Sequence, residues 1–257
     1  MNTKIETDSK ALDYRVFVHK NYSKNDFDKW VIDSLDLTEG MYVLDIGCGR
    51  GKHFFTIAQI IGENGLVVGM DASDESLSEC RQKISRQSLK NMNVVNSDLT
   101  KLSENNPAGR YHRILSSFAI YYTIDKNKTF NDIHQLLETK GVIFICGPTK
   151  KNNTEFLELV KKAGGEFSDD FLHWTDFLET DAKELLSQIF GNVEVLEFSN
   201  PINFPDGEVL YNYWKATPLY SKDIEENMKK VISDHFRNND SFVTNKVIIG
   251  LRSIKDE

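Results

Sequence analysis

A short apolar run leads directly into three alternating glycines, and this junction constrains the fold of the chain more than any other feature. The run Met41–Ile46 is typical of a buried strand, and glycines follow at Gly47, Gly49 and Gly51. Glycine permits positive φ angles and lets a ligand approach the backbone closely. The apolar stretch Phe54–Ile61 then predicts a helix. A strand, a glycine turn and a helix in this order are typical of a nucleotide-like cofactor site at the carboxyl end of a strand.

Strand-like and helix-like segments continue to alternate after the glycine turn. Ser73 is expected to cap the helix that carries Leu77, Cys80 and Ile84. The alternation predicts an α/β fold with a mostly parallel sheet and right-handed crossovers. The further predicted strands are Leu66–Met70, Asn93–Val95, Ile114–Ile120, Gly141–Cys146, Val193–Phe198 and Lys246–Leu251.

The chain is expected to form a single domain, 1–257, although its two halves differ in character. Five strand units occupy residues 41–147, whereas long helical and aromatic stretches dominate the C-terminal part. The expected parts are an N-terminal lid at 1–23, a cofactor-binding core at 24–149, and substrate-cap elaborations at 150–190 and 203–240.

The spacing of the glycines separates two classes of cofactor. A dinucleotide fingerprint needs G-x-G-x-x-G, but Lys52 stands where the third glycine belongs and Gly51 comes one residue early. The run Asp45–Gly51, D-I-G-C-G-R-G, instead resembles the first motif of the class I S-adenosylmethionine-dependent methyltransferases. The resemblance covers roughly residues 24–147 and, more loosely, the strand at 246–251. It implies a Rossmann-like, doubly wound, mostly parallel seven-stranded sheet with helical cap insertions, and S-adenosyl-L-methionine as the cofactor.

The same resemblance assigns cofactor-binding roles to residues near the strand ends. It implies that Asp71 accepts hydrogen bonds from the vicinal ribose hydroxyls and that Asp98 meets the adenine amino group. Acids at strand ends are also common as helix caps, so that explanation stays open for each of them. Tyr14 and Tyr22 contribute to the lid, where they contact the cofactor or simply pack. The full cofactor-binding set is Asp45, Gly47, Cys48, Gly49, Gly51, Asp71, Ala72, Ser97, Asp98, Leu99 and Ser117, with Tyr14 and Tyr22.

The acceptor side of the site is less constrained by sequence. The segment after the fourth strand lacks the [DN]-P-P-[YF] pattern of enzymes that methylate exocyclic amines, which disfavours that chemistry. His173 and His19 are the candidate general bases, since histidine titrates near neutral pH, although a lone histidine is more often structural. The six histidines are dispersed, so no metal site is expected. The candidate substrate-binding residues are Phe118, Tyr121, Tyr122, Trp174, Tyr213 and Trp214.

Charge bears on the class of partner. The formal net charge is −8, which argues against a binder of nucleic-acid backbones or anionic membranes. Residues 1–150 are balanced, so all of this charge comes from residues 151–257, which contain the expected cap. The asymmetry favours a neutral or amine-bearing acceptor. The sequence predicts a cytoplasmic protein for three reasons. Its three cysteines are scattered, its start is polar and has no signal-peptide core, and it has no long apolar run.

Four functions remain open on the sequence. The leading hypothesis is methyl transfer from S-adenosylmethionine to oxygen or nitrogen of a small organic molecule. The second is an RNA or protein methyltransferase, for which Lys83, Arg86 and Lys90 would supply a basic face, although a solvated surface explains them equally well. The third is a non-catalytic S-adenosylmethionine-binding protein, and the fourth is a nicotinamide oxidoreductase, which the glycine spacing disfavours.

Overall fold

The computed structural model describes residues 9–106 and 110–256, so residues 1–8 of the expected lid lie outside the described residues. The strands are β1 (Tyr42–Ile46), β2 (Leu66–Asp71), β3 (Met92–Asn96), β4 (Tyr111–Ser117), β5 (Leu137–Pro148), β6 (Glu194–Phe204) and β7 (Phe242–Ile254). The helices are α1 (Ser9–Tyr22), α2 (Phe27–Asp33), α3 (Phe54–Ile61), α4 (Asp74–Gln87), α5 (Lys126–Leu136), α6 (Thr154–Lys162), α7 (Asp169–Asp176), α8 (Lys183–Phe190), α9 (Gly207–Lys215) and α10 (Glu225–Phe236).

The seven strands form one sheet in the order β3-β2-β1-β4-β5-β7-β6. Strands β1 to β5 pair with their neighbours in parallel, and β7 pairs with β5 in the antiparallel sense. The predicted Rossmann-like, mostly parallel α/β sheet is confirmed. The chain runs outward from β1 to β3 and then returns to β4, so the strand order reverses between β1 and β4. Open α/β sheets bind ligands in the crevice at this switch point.

Side-chain caps fix where the crossover helices start near this crevice. Ser73 accepts a hydrogen bond from the backbone N–H of Ser76 at 3.3 Å, and α4 begins at the next residue, as expected. Asp125 accepts one from the N–H of Lys128 at 2.9 Å and starts α5 in the same way. Each cap satisfies an N–H that the helix itself leaves unpaired. The loop between β2 and α4 consists of only two residues, Ala72 and Ser73.

The predicted fourth strand, Ile114–Ile120, is too long at its carboxyl end. Strand β4 stops at Ser117 because Phe118 adopts a left-handed backbone conformation with φ of 57°. Its N–H still donates to the carbonyl of Cys146 at 2.8 Å, and a 3₁₀ turn follows at Ile120–Tyr122. The chain thus turns away from the sheet three residues earlier than the apolar run indicates.

The described residues group into two compact units. The unit named here the sheet unit contains Asp26–Thr149, Trp174–Phe198 and the described part of Ile248–Glu257. The helical unit contains the described part of Met1–Asn25 together with Lys150–His173 and Ser199–Val247. Within the sheet unit, one core lies around α5, α8 and one face of the sheet, and another lies around α2, α3 and α4.

The helical unit has a core of its own, built around Trp214 of α9. Its indole is fully buried and its Nε1 donates to the carbonyl of Leu219 at 3.1 Å. Asn200 fastens the end of the N-terminal segment, because its Oδ1 accepts hydrogen bonds from the N–H groups of Lys24 and Asn25. The described helices include none that is long and apolar enough to cross a membrane.

The expected cap at 150–190 is divided between the two units. Its first part, through His173, belongs to the helical unit, but residues from Trp174 onward belong to the sheet unit. Phe177, Leu178 and Leu186 are buried in the same core as β4 and β5. Their apolar side chains complete the sheet unit. The single-domain organisation and the lid and cap roles stay predictions.

Candidate cofactor and acceptor site

A cavity of about 380 Å³ opens at the carboxyl ends of β1 to β4 in the sheet unit. Each of these four strands is followed by residues that line it, as the topology of the sheet predicts. Because neighbouring strands lie about 4.8 Å apart, the cavity extends across roughly 14 Å from β3 to β4. The lining residues are Ile46, Gly47, Met70, Asp71, Ala72, Ser97, Asp98, Leu99, Thr100, Phe118, Ala119, Tyr122 and Ile124.

The glycine loop after β1 needs its first glycine for reasons of both conformation and space. Gly47 has a φ of 74°, and a Cβ on it would lie 2.2 Å from the Cβ of Ala119. The N–H groups of Gly47 and Cys48 both donate to the carbonyl of Met70, at 2.7 and 3.1 Å. The loop is therefore held between the end of β2 and the segment that follows β4, and its first glycine lines the cavity.

Asp71, at the end of β2, fastens this loop through its carboxylate. Its Oδ2 accepts a hydrogen bond from the N–H of Gly49 at 2.8 Å, and its Oδ1 accepts one from the N–H of Ser73 at 2.8 Å. Each carboxylate oxygen has a second acceptor direction. Asp71 can thus hold the glycine loop and still accept hydrogen bonds from two hydroxyl groups of a ligand in the cavity.

Asp98 follows β3 and lies at the exposed rim of the cavity. Its Oδ1 accepts hydrogen bonds from the N–H and the hydroxyl of Thr100, at 2.9 and 2.5 Å. These bonds stabilise the ionised form and lower the pKa of the carboxyl from its ordinary value. The side chain caps the short turn at Leu99–Lys101, so the capping role and a place in the cavity lining coincide in one residue.

Asp45, in β1, is the least compensated acid of the site. Its side chain is 2% exposed and its Oδ2 has no hydrogen-bond partner. Burial raises the pKa of Asp45 to about 7, with His53 opposing this shift and Asp71 adding to it. A buried carboxylate without compensation is costly unless a positive charge approaches it. Asp45 does not itself line the cavity, but the next two residues, Ile46 and Gly47, do, so a positive charge bound beside the loop would compensate this carboxylate.

His53 is a feature of the site that the sequence analysis missed. It is 6% exposed, and its Nε2 lies 3.1 Å from Oδ1 of Asp28. Lys52 reaches the same oxygen at 2.9 Å. Burial alone would raise the pKa of Asp28, but hydrogen bonds from His53 and Lys52 lower it to about 2. The sequence signal was a histidine two residues after Gly51, and its partner lies 25 residues earlier in the chain.

Two buried thiols pack beneath the glycine loop. The Sγ atoms of Cys48 and Cys80 lie 3.8 and 3.5 Å from the carbonyl oxygen of Gly49. Burial raises the pKa of both thiols, that of Cys80 to about 11. Both cysteines therefore stay protonated and act as small packing groups. The described residues include no group of three or more His, Cys, Asp or Glu side chains that could hold a metal ion.

Aromatic side chains lie on the β4 side of the cavity. The rings of Tyr121 and Tyr122 are 4.7 Å apart, and the indole of Trp174 lies 5.4 Å from the ring of Tyr122. Phe118 lines the cavity and packs edge-on against Phe27, at 5.7 Å. Four of the six candidate substrate-binding residues, those at 118, 121, 122 and 174, thus lie in the sheet unit, and Phe118 and Tyr122 line the cavity itself.

Most of the other candidate site residues lie in the helical unit, and Ser117 lies at the end of β4. Tyr213 and Trp214 are buried in the helical core, so their rings are ordinary packing groups in this structure. The ring of His19 lies 5.9 Å from that of Tyr213. Tyr14, Tyr22 and His173 also belong to the helical unit, and their roles stay predictions. Ser117 lies behind the cavity, with its hydroxyl 3.4 Å from Sγ of Cys146.

These features fit S-adenosylmethionine. Gly47 places backbone without a side chain at the cavity, Asp71 retains acceptor capacity for two hydroxyl groups, and Asp98 stands one strand further on for the base. The orphaned oxygen of Asp45 matches a cationic group near the loop. The residues present therefore suit each part of the molecule: adenine, ribose and the positively charged amino acid end.

The fold and the cavity define a class I methyltransferase. The chain matches a family model described as a methyltransferase domain over residues 37–194, which is more than half of its length. The chain belongs to this family of S-adenosylmethionine-dependent methyltransferases, and S-adenosylmethionine is its cofactor. The predicted family, fold class and cofactor are confirmed.

Individual relatives are distant. Aklanonic acid methyltransferase DauC of Streptomyces sp. strain C5 is 26% identical over 139 residues, which cover 52% of this chain but only 62% of that protein. The YcgJ protein of Bacillus subtilis has a TM-score of 0.61 at 14% identity, covering 90% of this chain and 98% of that one. Phosphoethanolamine N-methyltransferase 2 of Haemonchus contortus, solved with S-adenosyl-L-methionine, has a TM-score of 0.61 at 13% identity, covering 99% of this chain and 59% of that one. At these identities the structural likeness shows the fold.

Proposed function

We propose that the chain transfers a methyl group from S-adenosylmethionine to an oxygen or nitrogen atom of a small organic molecule that is neutral or carries an amine. The observation that carries this proposal is the apolar β4 end of the cavity, where Phe118 and Tyr122 lie apart from the residues assigned to the cofactor. Small-molecule sites are mostly apolar with a few polar groups, as this lining is. Among the described lining residues the charged side chains are Asp71 and Asp98, both acidic, which disfavours a polyanionic substrate.

Different residues along the cavity bind different parts of the cofactor. Asp71 accepts hydrogen bonds from the ribose hydroxyls while it continues to fix Gly49. Asp98 and Leu99 bind the adenine at the β3 side. Asp45 stabilises the cationic end of the cofactor, and in return the ligand compensates a buried carboxylate. Such paired compensation makes the affinity for the cationic methyl donor greater than that for a neutral analogue.

The sulfonium of the bound cofactor supplies an already activated methyl group. The protein has to align the acceptor lone pair with that group and exclude water, and Phe118 and Tyr122 form the apolar wall for this task. A new bond from acceptor oxygen or nitrogen to carbon forms as the carbon–sulfur bond breaks with its electron pair left on sulfur. The acceptor proton passes to solvent or to a base, for which His173 and His19 stay the candidates.

The proposal is tested with radiolabelled S-adenosylmethionine and three substrate pools: small phenols and amines, total tRNA, and unfolded protein. We expect label to enter only the small-molecule pool. Asp71→Asn should weaken adenosylhomocysteine binding by about tenfold or more, because a charged acceptor of hydroxyl hydrogen bonds is lost. The proposal fails if tRNA or protein is labelled and small molecules are not, or if adenosylhomocysteine binds without turnover of any pool.

A further inference from the structure

The rim of the cavity beside β4 exposes apolar surface. Tyr122 is 53% exposed and Ile124 is 90% exposed, yet both line the same cavity as Gly47 and Asp71. Single exposed apolar residues are common, but adjacent ones that continue a ligand cavity are typical of a binding surface. This rim lies at the end of the cavity opposite to Asp98, because Asp98 follows β3 and the rim follows β4.

The rings behind this rim form a fixed support. Tyr121 is buried, and a Cβ on Gly147 of β5 would lie 3.3 Å from its ring. Ring centroids 4.7 and 5.4 Å apart place Tyr122 in direct contact with Tyr121 and Trp174. There is therefore no space between the rings for an ammonium group, so the cluster is not a cation cage. What it presents is the remaining open surface of Tyr122, held in place from behind.

The charge of the cavity lining disfavours an anionic acceptor. The charged side chains in the described lining are Asp71 and Asp98, and both are acidic. The cation that follows closest in sequence, Lys126, is bound to Asp181 at 2.7 Å. The described lining residues thus include no cation that would bind an anionic acceptor.

From the exposed ring, its rigid support and this charge, we infer that the acceptor is an uncharged aromatic molecule whose ring lies against Tyr122 and Ile124. Its hydroxyl or amine then points along the cavity toward Gly47. The inference rests on the proposed function and names the substrate class of the same site. Tyr122 acts by positioning the ring of the acceptor, so its hydroxyl group is dispensable for this role.

The experiment measures ligand binding to the full chain saturated with adenosylhomocysteine. The probes are two matched pairs: phenol with cyclohexanol, and 2-naphthol with decahydro-2-naphthol. Tyr122→Phe keeps the ring, Tyr122→Leu removes it, and Tyr220→Leu removes a tyrosine of the helical unit as a control. We expect wild type, Tyr122→Phe and Tyr220→Leu to prefer each aromatic member, and Tyr122→Leu to lose about three- to tenfold of its 2-naphthol affinity.

Three results would overturn the inference. They are equal affinity for the aromatic and saturated members, unchanged 2-naphthol binding in Tyr122→Leu, and tighter binding of 2-naphthoate than of 2-naphthol. Adenosylhomocysteine affinity is measured for each variant and should be the same in all of them. If that affinity falls in Tyr122→Leu, the ring contacts the cofactor and the inference fails. If adenosylhomocysteine does not bind to wild type either, the proposed function itself fails.

Discussion

Asp45→Asn should make the cofactor-free protein more stable at pH 8 and at the same time weaken its binding of S-adenosylmethionine. Burial raises the pKa of this carboxyl from an ordinary 3.8 to about 7. Each pKa unit corresponds to about 1.36 kcal/mol, so keeping the carboxylate ionised above pH 7 costs the folded state about 4 kcal/mol. The asparagine carries no charge, and the variant avoids that cost.

The stability difference between Asp45→Asn and the wild type should depend on pH. Between about pH 4 and pH 7 the folded state binds the Asp45 proton more tightly than the unfolded state does. The free energy of unfolding of the wild type therefore falls as the pH rises through this window. In Asp45→Asn this contribution is absent, so the stability difference between variant and wild type should grow by about 3 kcal/mol from pH 5 to pH 8.

Urea unfolding of both proteins at pH 5 and pH 8, without cofactor, measures this difference. Asp33→Asn is the control, because Asp33 is exposed and its ion pair with Lys29 at 2.7 Å is a surface pair worth at most about 0.5 kcal/mol. Titration calorimetry should show S-adenosylmethionine binding weakened about 10- to 100-fold in Asp45→Asn, the worth of a hydrogen bond to a charged group. Parallel pH profiles, or an asparagine variant less stable than wild type at pH 8, would refute the reasoning.

Two further predictions test the glycine loop and the helical core. Gly47→Ala should reduce adenosylhomocysteine affinity at least about tenfold, because the added Cβ would lie 2.2 Å from that of Ala119. Gly40→Ala shares the positive φ, at 82°, but its Cβ meets nothing within 4 Å, so it should cost only about 1 kcal/mol of stability and leave affinity unchanged. Trp214→Ala should lower the free energy of unfolding by about 3–5 kcal/mol in urea, since a fully buried indole leaves a cavity and frees the Leu219 carbonyl; a loss below about 1 kcal/mol would contradict its place in the core.

The place of Gly47, Asp71 and Asp98 in the cavity lining follows from local signals in the sequence, and their roles toward the cofactor stay predictions. Gly47 and Asp71 each stand directly after an apolar run, Asp98 stands three residues after Val95, and parallel strands bring their carboxyl ends to one edge. From β1 to β3 the order of residues along the chain therefore translates into position along the cavity, whereas β4 lies on the other side of β1. The fold class followed from the same alternation of strands and helices.

The failures arose where the signal depends on distant packing. His53 depends on Asp28, a residue of another helix, so no local pattern indicated its burial. Strand β4 ends early because of the left-handed backbone of Phe118, whereas the apolar side chain of this residue is typical of a strand. Tyr213 and Trp214 are buried together with Leu210, in the i, i+3, i+4 spacing of a helix face turned to a core, and their substrate-binding role stays a prediction.

Because its three cysteines are buried, opening of the protein can be followed by the rate at which a thiol reagent modifies them. Cys48 lies in the glycine loop, Cys80 in α4 and Cys146 in β5, and none of them is exposed in the folded protein. A thiol reagent can therefore modify only molecules that have opened, at a rate set by the opening equilibrium. Peptide mapping of the modified sites then separates opening of the loop, which uncovers Cys48 and Cys80, from loss of the sheet, which uncovers Cys146. Slower labelling of Cys48 with added cofactor would report ligand binding without any assay of methyl transfer.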